Sequence, residues 1–133
     1  MQTMYFIAKL CTCALWASTA IHTLFHYQET TQRMTQKGIP WAGILLVPVL
    51  VMKLGGTLML LTNYFVWAAV LAWIGFLIFV TALFHKLYDK EGRFVFPEMI
   101  QLTKNISLIG GLLTLLLLDP DKPLWLVSLL QKY

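Results

Sequence analysis

Charge is scarce in this chain of 133 residues: 12% are Asp, Glu, Lys or Arg, and only six are acidic. Cysteine is nearly missing as well, with two residues. No nucleophile–base pair, Gly-rich phosphate loop or closed metal-ligand spacing is visible, so nothing marks independent catalysis. Apolar residues dominate instead, at 59% of the chain with a mean hydropathy of +0.72. Four stretches of about 20 residues, each long enough for a ~30 Å hydrocarbon core, leave roughly forty residues for loops and ends. That proportion excludes a soluble catalytic domain, a Rossmann unit or a nucleic-acid module, and nucleic acid is not an expected partner. The expected fold is all-α: one integral-membrane domain, an up-down-up-down four-helix bundle in contact with the lipid bilayer.

The spans are expected near residues 5–27, 41–62, 65–88 and 98–118, followed by a short interfacial segment at 123–133. Pro40 and Pro97 open the second and fourth spans, where a missing N–H is tolerated. Glu98 adds negative charge at the positive end of a helix dipole, and Asp119-Pro120 ends the last span. Lys9 lies inside the first apolar stretch and nothing basic precedes it, against the pattern of a cleaved signal peptide. Lys9 is expected to snorkel to its membrane end. Cys11 and Cys13 are two apart on a helix, so their thiols point to different faces.

The net charge of +4 is spread over residues beside the spans, where basic side chains set orientation rather than mark a polyanion partner. Arg33, Lys37, Lys86, Lys90, Arg93 and Lys104 fall in or beside the two longer loops. The positive-inside rule then places those loops in the cytoplasm and both termini outside.

An internal repeat runs through the chain. Leu24-Phe25-His26 and Leu83-Phe84-His85 close the first and third spans; Pro40 and Pro97 open the second and fourth; Gly55-Gly56 and Gly110-Gly111 lie within them. Two similar helical hairpins related by an axis along the membrane normal would give this order. Glycine pairs allow close helix approach in lipid, within the bundle or in a homodimer.

The polar residues gather at one end. His22, His26, His85, Glu98, Gln101 and Asn105 share the side where the first and third spans finish and the second and fourth begin. His22 and His26, four apart, stack on one helix face. Three histidines and a carboxylate could hold a metal, and His26 with His85 could flank a haem iron, but no spacing motif supports either. Hydrogen-bonded histidines closing the bundle's end are one alternative, and a quinone or other small-molecule pocket is another.

Lys53 is the most unusual residue. It lies about twelve residues into the second span, ~18 Å deep at 1.5 Å per residue, with no carboxylate at its level in any span. A charged lysine there must meet water, a subunit or an anionic ligand. Pro48, five residues earlier, frees the carbonyl of Ile44, and Gly55 and Gly56 leave space just after. The four residues together read as the wall of a polar pocket.

The chain resembles the DoxX family of small membrane proteins. The likeness rests on Gly38-Ile39-Pro40, on Leu54-Gly55-Gly56-Thr57-Leu58-Met59-Leu60-Leu61, on His85, and on Lys104-Asn105 leading into Leu108-Ile109-Gly110-Gly111-Leu112-Leu113. It implies a four-helix bundle in a bacterial inner membrane, linked to quinol oxidase or thiosulfate:quinone oxidoreductase subunits and to membrane redox complexes. Quinone is then the expected ligand, redox-complex subunits are the expected partners, and any enzymatic role is that of a quinone-linked component. Two features depart from the family: Lys53 stands where an acidic residue is usual, and Ala20, His22 and His26 stand where the first span commonly carries Gly and a terminal Lys. A non-catalytic adaptor or small permease, with Lys53 contacting an anion, is the alternative.

Overall fold

The computed structural model describes residues 2–84, 87, 88 and 90–132. Six helices follow one another: α1 (Gln2–Phe25), α2 (Tyr27–Gln36), α3 (Ala42–Thr62), α4 (Val66–Phe84), α5 (Phe96–Leu118) and α6 (Leu124–Leu130). Helices α1, α3, α4 and α5 are each long and apolar enough to cross a membrane. Lipid offers backbone groups no partners, so each span must satisfy its own by i→i+4 bonding. The packing order is α1 on α3, α3 on α4 and α4 on α5, with only a light contact between α1 and α5. The result is a four-helix membrane bundle with one loosely closed seam.

Aromatic rings hold its centre. Trp16 of α1 stacks on Trp73 of α4, with ring centroids 4.6 Å apart and planes 12° from parallel. Phe76 meets Trp16 edge-on at 6.0 Å. The fully buried Trp73 also donates its indole N–H to the carbonyl of Met52, at 3.4 Å. Gly56 makes that approach possible, because a Cβ there would come within 2.6 Å of the indole ring. Its neighbour does not share the role. Gly55, Gly110 and Gly111 have nothing within 4 Å of the position a Cβ would take. Successive helical residues point about 100° apart, so one glycine of a pair can face a partner while the other looks away. Gly111 instead lines a shallow groove at the α1–α5 seam, beside Ala8, Cys11 and Thr12.

Three boundaries differ from the sequence reading. The segment after the first span, read as a loop, forms the ten-residue helix α2. It holds no Pro or Gly before Gly38, and Glu29 and Arg33 pair one turn apart at 2.5 Å. A non-helical His26 (φ −110°, ψ 37°) separates it from α1. Second, α3 begins at Ala42, two residues after Pro40, because Trp41 takes a left-handed conformation at φ 60°. Third, α4 ends at Phe84, and residues 85 and 86 lie outside the described residues. The connectors of the two hairpins also differ. The first contains α2, whereas the second forms a Tyr88–Phe94 bridge around Gly92.

The far end of the bundle corrects the expectation for Lys9. Its side chain does not snorkel; the residue is 4% exposed and its ammonium donates to Asn63 Oδ1 at the end of α3. Asn63, left-handed at φ 59°, caps α3, and the negative end of that helix dipole favours a cation there. The Tyr5 ring lies 5.2 Å from the same ammonium. Lys122 covers the end of α5 by donating to the carbonyls of Leu117 and Asp119. Helix α6 docks against this end through buried Leu126 and an edge contact of Trp125 with Trp67.

The glycine geometry gives a stability test. Gly56→Ala is expected to lower stability by about 1–3 kcal/mol, the usual cost of overpacking a tight contact. Gly55→Ala has open space and a better helix former, so it should be neutral or stabilising by up to about 1 kcal/mol. Thermal unfolding of both variants in detergent checks the difference; equal losses would contradict the contact.

Candidate functional site

Residues of α1, α3, α4 and α5, with those of the α2 segment, line a half-open cavity of about 890 Å³. Its walls are apolar: Leu45, Leu46, Pro48 and Val49 from α3 face Phe76, Phe79, Val80 and Phe84 from α4. Pro48 sits inside α3, and its ring both fills wall space and leaves the Ile44 carbonyl without its i+4 donor. Polar groups enter at defined places. His22 and Thr23 come from α1, Lys53 stands on α3, and Glu98 and Gln101 come from the first turns of α5.

Four of the residues singled out from sequence therefore meet in one space: His22, Lys53, Glu98 and Gln101. Two others, His26 and Asn105, do not. His26 is exposed and stacks on His22, with centroids 4.4 Å apart, planes at 15°, and Nδ1 3.1 Å from the His22 carbonyl. That stack holds the two rings parallel, so their nitrogens do not converge on one point. Among the described residues no three His, Cys, Asp or Glu side chains gather as a metal site. Asn105 is buried between spans, donating to Thr81 Oγ1 at 2.9 Å; it ties α5 to α4 outside the cavity. His85 lies outside the described residues.

Lys53 is half-buried at the cavity's inner end. Its ammonium stands 5.7 Å from the Phe76 ring centroid and 6.0 Å from that of Trp16, near the outer limit of a useful cation–π contact. No acidic side chain among the described residues pairs with it. The backbone beneath it is fixed, since Thr57 Oγ1 donates to the Lys53 carbonyl at 2.8 Å.

Helix α2 roofs the mouth. Thr30, Arg33, Met34 and Lys37 line the cavity, and their spacing of 3, 4 and 7 puts them on one helix face. On one side the Tyr27 hydroxyl donates to the carbonyl of Gly43 in α3. On the other, the Lys37 ammonium donates to the Phe84 carbonyl at 3.0 Å and lies 3.9 Å from Glu98. Sequence reasoning missed this roof and the phenylalanine wall. The signal was present in the helical spacing of Thr30, Arg33, Met34 and Lys37 across a stretch without Gly or Pro.

Fold and cavity define the class: a small, multi-pass integral membrane protein whose spans line a half-open amphipathic cavity. The DoxX family model matches residues 4–86, more than half of the chain, and the chain belongs to that family. It is also 22% identical over 114 residues to the inner membrane protein YphA of Escherichia coli (strain K12), an alignment covering 86% of this chain and 81% of that protein. No solved structure matches the chain significantly. The matched segment carries α1 to α4, hence His22, the α2 roof, Lys53 and the phenylalanine wall; Glu98 and Gln101 lie beyond it.

Separating site from scaffold is a matter of measurement. Asn105→Leu removes the hydrogen bond to Thr81 and should cost about 0.6 kcal/mol, with ~1.7 as the upper end for such bonds in membranes. Ligand affinity at the cavity should stay within about twofold of the parent, because Asn105 does not line it. Unfolding in mixed micelles and a binding titration on the same variant check both parts.

Proposed function

We propose that this protein is an inner-membrane component of a quinone-linked redox system and that its cavity receives the quinone head group. The observation that carries the reading is the cavity's composition. Aliphatic residues of α3 and phenylalanines of α4 line it together with His22 and the Lys53 ammonium, which stands midway along its span. A quinone needs those features: apolar faces for the ring and hydrogen-bond donors for the carbonyls. The cavity's volume of about 890 Å³ lies in the ordinary range for a small-molecule site. On this reading the protein's own part is to bind and orient the ring for a partner subunit.

A small permease, with Lys53 on an anion path, would need continuity through the bundle. The Trp16–Trp73 stack and the Gly56 contact lie next to Lys53 on the side away from α2. They favour a blind pocket. For orientation, the basic residues beside the cavity mouth support a reading with that mouth on the cytoplasmic side and both termini outside; reporter fusions at each terminus check this.

Binding is measurable without knowing the partner. Decylubiquinone added to the purified protein should quench tryptophan fluorescence saturably, since Trp16 stands beside Lys53. Lys53→Met should weaken that binding about tenfold or more, the loss expected for one charge-assisted hydrogen bond of about 1.5–3 kcal/mol. A variant that binds the quinone as tightly as the parent, or a parent that does not bind it, would overturn the reading.

A further inference from the structure

The charge inventory of the cavity narrows the ligand further, on the reading that the cavity is a ring-binding site. Its ionisable groups come from four elements: His22 on α1, Arg33 and Lys37 on α2, Lys53 on α3 and Glu98 on α5, while α4 carries no charged residue. Those at the mouth have partners within the protein. Arg33 pairs with Glu29 at 2.5 Å, and Lys37 lies 3.9 Å from Glu98. The His22 ring stacks on His26, and the deep Lys53, the one Lys or Arg lining the cavity without an acidic partner among the described residues, stands apart.

Two aromatic faces at 5.7 and 6.0 Å offset little of the cost of an ammonium halfway along a 21-residue span. A neutral carbonyl would accept a hydrogen bond there but leave the charge uncompensated. An ionised oxygen would do both, and charge-assisted bonds are roughly twice as strong as neutral ones. Phe76, Phe79 and Phe84 of α4 line the same cavity and offer a ring apolar, aromatic surface.

We propose that the cavity selects an acidic ring amphiphile: a quinone or related aromatic molecule whose ring carries an ionised hydroxyl or carboxyl, seated on Lys53, with its apolar part along the phenylalanine wall. The protein supplies the cation and the ligand the anion, so the pair enters the site with no net charge left buried. A ring bearing the same substituents but no acid binds in the same slot, more weakly.

Two probes of nearly equal shape separate the terms. A 2-hydroxy-3-alkyl-1,4-naphthoquinone is ionised at neutral pH, whereas its 2-methoxy analogue is neutral. Titrated into the protein in nanodiscs at neutral pH, the hydroxyl probe should bind about tenfold tighter than the methoxy probe. The preference should fall below about twofold in Lys53→Met and persist in Lys53→Arg, which keeps the charge and guards against a folding artefact. Equal affinities in the parent, or a preference that survives in Lys53→Met, overturn the proposal while leaving a general quinone site standing. Failure of both probes to bind overturns the site itself. Laurate binding as tightly as the hydroxyl probe overturns the requirement for a ring and leaves only the anion.

Discussion

Helices in lipid have no hydrophobic incentive to associate, so shape must hold them together. In this bundle the controlling contact is the indole of Trp73 lying on the bare backbone at Gly56, with Trp16 stacked on its other side. It draws α1, α3 and α4 together at one level. The consequence appears one helical turn away. There the bulky Phe76, Phe79 and Phe84 on α4 and the Pro48-bearing stretch of α3 keep the walls apart. A tight lower half and an open upper half are two results of one placement of large and small residues. Without the indole–glycine contact the spans could slide closed, and the cavity would have no floor.

The two lysines within spans show how one residue type reaches opposite outcomes. Lys9 is nearer its helix end and finds Asn63 together with the dipole end of α3. It is nearly inaccessible but fully engaged. Lys53 sits midway along α3, where every backbone carbonyl is committed to its own helix apart from the one freed by Pro48. Depth separates the two. A cation near a helix terminus can use unsatisfied carbonyls and capping amides, whereas one at mid-span has only side chains and ligand. Lys9 belongs to the scaffold on that ground, and Lys53 to the site.

The spans were legible in the sequence because their signal is long and thermodynamic: some twenty apolar residues in a row admit few other structures. The polar end was legible for a related reason, since groups that are expensive in lipid gather where lipid ends. His22, Lys53, Glu98 and Gln101 do share one space. What stayed hidden depends on rotation about helix axes. Whether Gly55 or Gly56 meets a neighbour, whether Asn105 turns to Thr81 or to the cavity, and whether Lys9 points in or out are decided by about 100° per residue. Partners on other helices set that angle, and apolar spans leave it weakly marked, since a residue facing lipid and one facing protein can be equally greasy. Helix α2 escaped for a different reason. Its residues are polar on most sides, and a polar stretch between spans reads as a loop until its 3–4 spacing is counted.

That roof bears on how a ligand of the proposed kind gets in. Helix α2 rests on α3 through Tyr27, and on the α4–α5 side through Lys37 alone among the contacts described between them. It is bounded by non-helical His26 and by Gly38, whose φ of +81° suits glycine. A segment hinged at both ends and held by few side chains belongs to the low-stability part of a fold. The deep cation, by contrast, stands beside the buried Trp16–Trp73 stack. On the proposed reading, recognition and access fall to different parts of the molecule: Lys53 and the phenylalanines of α4 would hold the head group, and α2 would cover its way in. The roof's cationic residues, Arg33 and Lys37, have Glu29 and Glu98 beside them, whereas Lys53 has no acidic side chain among the described residues beside it.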